Sequence, residues 1–392
     1  MNSRNKRKSE TNILSKDSAK QKKIPVWLIV VLLLNALCIV LSLLAKNVRG
    51  FAPWYSRNIY PIFQGSIGRL SGLFAFSLSE FLLYALPTVF IVVLVAMLIK
   101  KRRPAPLFKL AAIIISALLL LYQANCGVNY YNTSFAETEG FTRISNNKEL
   151  LIEFCEYIVD RINENSVAVS KEVVTSSSAW DKSQYDLTAP YDQTLFYMSG
   201  TGLPDEAVQS MERVGTIYKS LGGYYPHPKG LVYSRPFSNM GVTGIYSPFT
   251  IEANYNSEMT PYNLPFTACH ELSHLKGYMN ESEANFIAFL ACVNSDNLAF
   301  QRSGYMLAWV YAGNQLYKVD RNTFNELRTS LPEDAKKEFD DNNLFWDKYE
   351  TKASEVQDTI NDEYLKEHGI PEGIQSYNLV VELMLSWYAQ NI

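Results

Sequence analysis

Three stretches of this chain, about 26–45, 81–99 and 106–124, are apolar over the length of a bilayer crossing. A hydrocarbon core about 30 Å thick needs about 20 helical residues. Within lipid, backbone N–H and C=O groups can be satisfied only inside a helix or a closed barrel. The stretches are therefore read as transmembrane helices, and the rest of the chain must fold around them. The first is not a cleavable signal peptide, because its apolar run is too long and a polar, basic leader (1–25) precedes it. Lys109, near the start of the third, is long enough to snorkel.

Lys and Arg set the expected orientation. The leader carries Arg4, Lys6, Arg7, Lys8, Lys16, Lys20, Lys22 and Lys23, and the link between the second and third spans carries Lys100, Lys101, Arg102 and Arg103. The positive-inside rule places both in the cytoplasm, so everything after about Asn125 is expected to be extracytoplasmic. The link between the first and second spans, 46–80, is rich in aromatic residues and Gly and carries Arg49, Arg57 and Arg69. Arg69 argues against a further span there. Two readings stay open for this link: an interfacial amphipathic segment and an ordinary structured extracytoplasmic loop.

From about Tyr130 polar residues return. An amphipathic helix is expected at 147–165, with Leu150, Leu151, Phe154, Ile158 and Ile162 on one side, followed by an irregular stretch at 166–192. A helix at 204–221, a loop at 222–236 and short extended runs at 244–246 and 249–251 come next. Helices then run to the end, with a charged stretch at 333–367 and an apolar C-terminal helix at 378–390. The expected architecture is an N-terminal α-helical membrane anchor of three spans (26–125), followed by a mainly α, α+β domain with a small sheet (126–392). Charged residues at 19% and aromatics at 13% fit a folded domain and exclude a disordered one. The net charge is −3, and the positive charge clusters beside the apolar runs, so no nucleic-acid partner is expected. The five cysteines form no C-x-x-C pair and are read as buried free thiols.

Chemistry is concentrated in His270-Glu271-Leu272-Ser273-His274. On a helix, residues four apart share a face. Two imidazoles at that spacing can bind one zinc ion, and Glu271, about 100° around the helix, can take a proton from a metal-bound water. Pro261 and Pro265 suit a helix start and Gly277 suits its C-terminal cap, with Ala268, Leu272 and Leu275 opposite His270. A third ligand is needed. Asn280 can cap a second helix that carries two candidate carboxylates. Glu283 has capping-box spacing, and Glu281 shares a face with Asn285, Ala288 and Cys292. That small, polar face suits packing against the motif helix, which favours Glu281 as ligand, with Asn285 orienting a histidine. Tyr305, Tyr377 and His227 are candidate donors to a developing oxyanion, with Tyr377 preferred. His227 lies between two prolines, as surface-loop histidines do, and His368 beside Gly369 suits a helix cap. The run 241–251 is either an edge strand offered to substrate or a plain core hairpin.

H-E-x-x-H followed by E-x-x-A-N at Glu281–Asn285 resembles the gluzincin branch of zinc metallopeptidases. The resemblance implies a zincin-like fold, a Zn2+ cofactor, His270, His274 and Glu281 as ligands and Glu271 as general base. The chain departs from that pattern in having Asn285 where Asp is usual and in the short step from His274 to Glu281. Gly277 matches the turn glycine of metzincins, whose third His is absent. The spans together with the string Glu281 to Cys292 also resemble an uncharacterised bacterial membrane family, domain of unknown function 3810. Three functional readings follow. The first is a membrane-anchored zinc metallopeptidase acting on a peptide or protein, in the envelope by its expected location. The second is a non-catalytic zinc-binding sensor or scaffold, and the third is another zinc hydrolase acting on cell-wall peptides. An intramembrane protease is disfavoured, because polar residues Asn263, Lys276 and Glu281 flank the motif and it lies far from the spans in sequence. Oligomeric state is left open.

Overall fold

The structure, a computed structural model, describes residues 24–145, 147–177, 202–349 and 377–392. Three helices are long and apolar enough to cross a membrane: Val26–Asn47, Leu78–Ile99 and Ala105–Tyr122, the last continuing through tighter and wider turns to Tyr131. Each of the first two has 22 residues, which at about 1.5 Å per residue gives about 33 Å, one hydrocarbon thickness. Ser77 caps the second span by accepting from the Glu80 amide. Asn35 of the first span donates to Ser116 Oγ of the third at 2.8 Å. Lys109 lies over the Trp27 ring.

The link between the first and second spans is folded. It runs through Phe51–Asn58, Tyr60–Phe63, a π-helical turn Gln64–Gly68 and Arg69–Ser71. Ala52, Tyr55 and Tyr60 are buried in a small core with Val128, which follows the third span.

The main core gathers helices Lys148–Ser177, Leu203–Ile217, Asn263–Leu275, Glu281–Val293, Leu298–Val319 and Tyr377–Asn391. A three-stranded sheet lies beside it: β1 (Lys229–Gly230), β2 (Gly244–Ser247) and β3 (Glu252–Tyr255), in the order β1-β3-β2. β1 runs parallel to β3 and β2 antiparallel, with Ile245 opposite Asn254 and Ser247 opposite Glu252. Arg302 is completely buried, forks onto Glu338 and Asp334, and donates to Ser166 Oγ. It thereby ties three helices together.

Two expectations are corrected. The helix expected to stop at residue 165 runs to Ser177, so the first part of the stretch read as irregular is helical. Asn165 and Ser166 looked like a helix end, but tertiary bonds hold them in place: Asn165 donates to the Leu298 carbonyl and Ser166 accepts from Arg302. Residues 178–192 of that stretch lie outside the described residues. The run 249–251 is a turn and not a strand, and pairing begins at Glu252. Ile251 sits there at φ 51°, an unfavourable region for a β-branched residue, with its side chain fully buried against Gly68 of the inter-span link. Cys126, Cys155, Cys269 and Cys292 are buried free thiols, and Cys38 is half-buried and free. His368 lies outside the described residues.

Candidate metal centre

The motif helix Asn263–Leu275 has Pro265 in its first turn and buries Ala268, Leu272 and Leu275 completely. It stops because Gly277, two residues past its end, adopts φ 107°, a left-handed conformation open to glycine at no steric cost. The turn sends the chain straight into Asn280. The Asn280 side chain accepts from the Ser282 amide at 2.9 Å and starts the helix Glu281–Val293. The short step between the two helices folds Glu281 back over the two histidines.

His270 Nδ1 meets Asn285 Oδ1 at 2.8 Å, and His274 Nδ1 meets the Tyr278 carbonyl oxygen at 2.8 Å. A carbonyl oxygen only accepts, so both Nδ1 atoms donate, and each neutral ring presents an unprotonated Nε2. Those Nε2 atoms lie 3.3 and 3.4 Å from the two Glu281 carboxylate oxygens. Acceptor faces acceptor across both gaps, so either a proton or a cation must lie between them. In the metal-free protein the proton takes that place. Burial pulls the His274 pKa down, but the charge and hydrogen bond of Glu281 outweigh it and raise it to about 9. Glu281 is held well below the usual carboxylate range: burial opposes ionisation, and the two imidazoles overcome it. One donor atom from each of His270, His274 and Glu281 falls within 4.8 Å of the other two, and the Glu281 side chain is 29% exposed, so the group opens on one side. Two imidazoles and one carboxylate around an open position are a group that could hold a metal ion.

Glu283 points elsewhere. Its Oε1 accepts from the Ala136 amide at 3.3 Å, and burial pushes its carboxyl up to about 7. It is not the capping-box partner of Asn280 that its spacing suggested, and it does not join the histidines. Tyr305 is buried against Tyr157, with ring centroids 6.2 Å apart, and His227 is exposed and paired with Asp205 at 2.8 Å. Neither touches the group. Tyr377 opens the C-terminal helix, but its side chain lies outside the described residues.

Glu271 is almost wholly buried, and its Oε2 has no hydrogen-bond partner. Burial raises its carboxyl to about 7, against the pull of the two histidines and of the Tyr246 amide, which donates to it. Its carboxylate fits there because residue 244 is glycine: a Cβ on Gly244 would stand 2.4 Å from Glu271 Oε1. Of the run 241–251, only Gly244–Ser247 is strand, and it pairs with β3 as a hairpin. β2 is an outer strand of the sheet and lies against the motif helix with its glycine facing the carboxylate.

A family model described as "Protein of unknown function (DUF3810)" matches residues 55–385. The chain belongs to that family. No curated protein and no solved structure matches it. The match begins at Tyr55, so in this DUF3810 protein the inter-span link belongs to the same unit as the histidines. The contacts agree: Tyr60 Oη donates to the Leu275 carbonyl at 2.7 Å, and Gln64 Nε2 donates to the same oxygen. Tyr60 Oη also lies 2.9 Å from Tyr246 Oη. A residue next to His274 and a residue bonded to Glu271 are thus both held by the link. Sequence reasoning passed over Tyr60, Gln64, Gly244 and Tyr246. For Tyr60 and Gln64 the signal was the density of aromatic residues in 46–80, whereas Gly244 and Tyr246 lie in the extended run 244–246.

Proposed function

We propose that this DUF3810 protein is a membrane-anchored zinc peptidase whose domain lies outside the cytoplasm. One observation carries the reading. Two imidazole acceptors and a carboxylate converge on one point, and beside them is a buried carboxylate with a partnerless oxygen and a pKa near 7. Burial raises that carboxyl toward neutrality, which suits it to accept and then return a proton.

His270, His274 and Glu281 would hold the ion, and Asn285 and the Tyr278 carbonyl keep both rings in the correct tautomer. Zinc so held supplies Lewis acidity and lowers the pKa of bound water. Glu271 accepts the proton released as water attacks a peptide carbonyl, and passes it to the departing amine. The Tyr246 amide fixes one end of that carboxylate, leaving Oε2 free for the transfer.

A non-catalytic zinc sensor or scaffold is served less well by these residues. Structural zinc sites are usually closed by four protein ligands, whereas among the described residues this group supplies three and opens beside Glu281. Such a site also has no use for a buried, destabilising carboxylate next to the ion. The test is metal analysis of the full chain purified in detergent, with Glu271→Gln alongside. The expected result is one zinc per chain in both, with peptide cleavage in the wild type only. No zinc at neutral pH overturns the metal centre. Equal cleavage by both proteins overturns the assigned base.

A further inference from the structure

The metal domain is welded to two span ends through the same sheet that carries the candidate site. The Glu252 carboxylate accepts from the backbone amides of Leu78 and Ser79, the first turn of the second span, at 3.1 and 2.8 Å. Lys229 Nζ pairs with Glu252 and donates to the Ser71 carbonyl, so the buried carboxylate is neutralised where it meets the helix N-terminus. Asn254 Nδ2 donates to Ser79 Oγ at 3.2 Å. On the other side, Asn125 Nδ2, just past the third span, donates to the Pro248 carbonyl at 2.8 Å. The β2–β3 turn therefore rests on both spans where they leave the hydrocarbon.

Strand geometry bounds the height. Gly244, beside Glu271, lies three residues along β2 from Ser247, whose partner is Glu252. At about 3.3 Å per residue this is at most about 10 Å whatever the tilt of the strand, and a headgroup layer is about 6 Å deep. The candidate site thus sits at, or a few ångströms above, the lipid headgroups.

A second contact with the bilayer accompanies the first. The loop after β1 turns beside the second span, with the amides of Val232 and Tyr233 donating to the Glu80 carboxylate at 2.9 and 2.8 Å. Tyr233 packs edge-on against Tyr84 of the span, with centroids 6.4 Å apart. Val232 is 83% exposed at this level. An apolar side chain presented beside a span, on backbone amides already satisfied by Glu80, is suited to the interfacial layer. Exposed Phe74 and Phe76 lead into the same span end, where Phe76 meets Phe81.

We propose that this site acts at headgroup depth on the juxtamembrane stretch of membrane-anchored polypeptides, with the Val232–Tyr233 loop seated in the lipid interface. The substrate class rests on the peptidase reading, whereas the depth does not. A segment emerging from a transmembrane helix reaches a site at most about 10 Å up with about three extended residues, and its tether raises its effective concentration over that of a free peptide.

Two measurements on the zinc-loaded full chain, in vesicles of phosphatidylethanolamine and phosphatidylglycerol, test the two parts separately. The first places a spin label at Val232→Cys or Phe249→Cys and compares it with one at exposed Glu333→Cys. The first two labels are expected to relax strongly with lipid-borne nickel chelate and the third weakly. Equal relaxation at all three positions overturns the depth. The second co-reconstitutes a transmembrane helix bearing a randomised peptide library through linkers of increasing length, with the same library free in solution. Cleavage is expected with linkers as short as about five residues, and at least about tenfold slower for the free library at equal concentration. Cleavage that begins only with linkers of about fifteen residues or more, or a free library cut equally well, overturns the juxtamembrane substrate. Membrane-level labels with no cleavage of any library overturn the peptidase reading and leave the depth standing.

Discussion

The donor set and its support are built on different scales. His270, His274, Glu281 and Asn285 lie within one helix–turn–helix, and the spacing of the chain alone brings them together. Tyr60 and Gln64 reach the same helix from 215 and 211 residues away, out of a link between two membrane spans. The two local helices bring the candidate ligands together, and the remote link fixes where the motif helix sits relative to the span ends. A site of this kind can be recognised from a short stretch of chain but cannot be built from one.

Four tests probe that division, in order of decreasing effect. Glu281→Ala removes a ligand and should weaken zinc binding by more than about a hundredfold, whereas Glu283→Gln should leave it within about twofold; isothermal titration with zinc separates them. If both lose zinc equally, the local pair has been read wrongly. Asn285→Ala takes away the acceptor that orients His270 and should cost about 10- to 100-fold in zinc affinity, the range for such partners. Gly244→Ala should retain zinc but slow cleavage by about tenfold or more, because the new Cβ displaces the Glu271 base; unchanged turnover would mean that the carboxylate does not work from its observed position. The double change Tyr60→Phe, Gln64→Leu leaves the Leu275 carbonyl without either donor. At about 1 kcal/mol per hydrogen bond it should cost about 2 kcal/mol of stability, seen as a lower melting temperature, with part of that loss, several-fold, carried into zinc affinity. A link that merely tethers would show no change in either.

Legibility in the sequence follows the same line. The spans were readable because about 20 apolar residues admit one solution in lipid, and their observed ends fall within three residues of those expected. The motif helix, its Gly277 stop and the Asn280 cap were readable because capping chemistry is local. Glu281 and Glu283 could be ranked but not separated, because which carboxylate faces the histidines depends on how the turn at Gly277 packs. Ile251 and the continuation through Asn165 and Ser166 went unread because distant partners, Gly68, Leu298 and Arg302, override local preference there. Nothing in local spacing could give the Tyr60–Leu275 bond.

Arg302 marks the opposite end of the domain in chemical character. Its guanidinium is wholly enclosed, while its partners Asp334 and Glu338 lie toward the surface. Replacing it with Ala strands two carboxylates and should cost about 3–5 kcal/mol of stability, measurable by thermal unfolding in detergent, with little effect on zinc affinity in the protein that remains folded.

The wide separation between Tyr60 and Leu275 also imposes an order in time. The link leaves the ribosome first, and at about 5–20 residues per second the motif helix follows roughly 10–40 s later. Over that interval the first spans can enter the bilayer and the link can fold against the emerging third. The histidines then arrive beside a link that has had time to insert and fold, so a metal ion held there would be captured only by a chain already anchored.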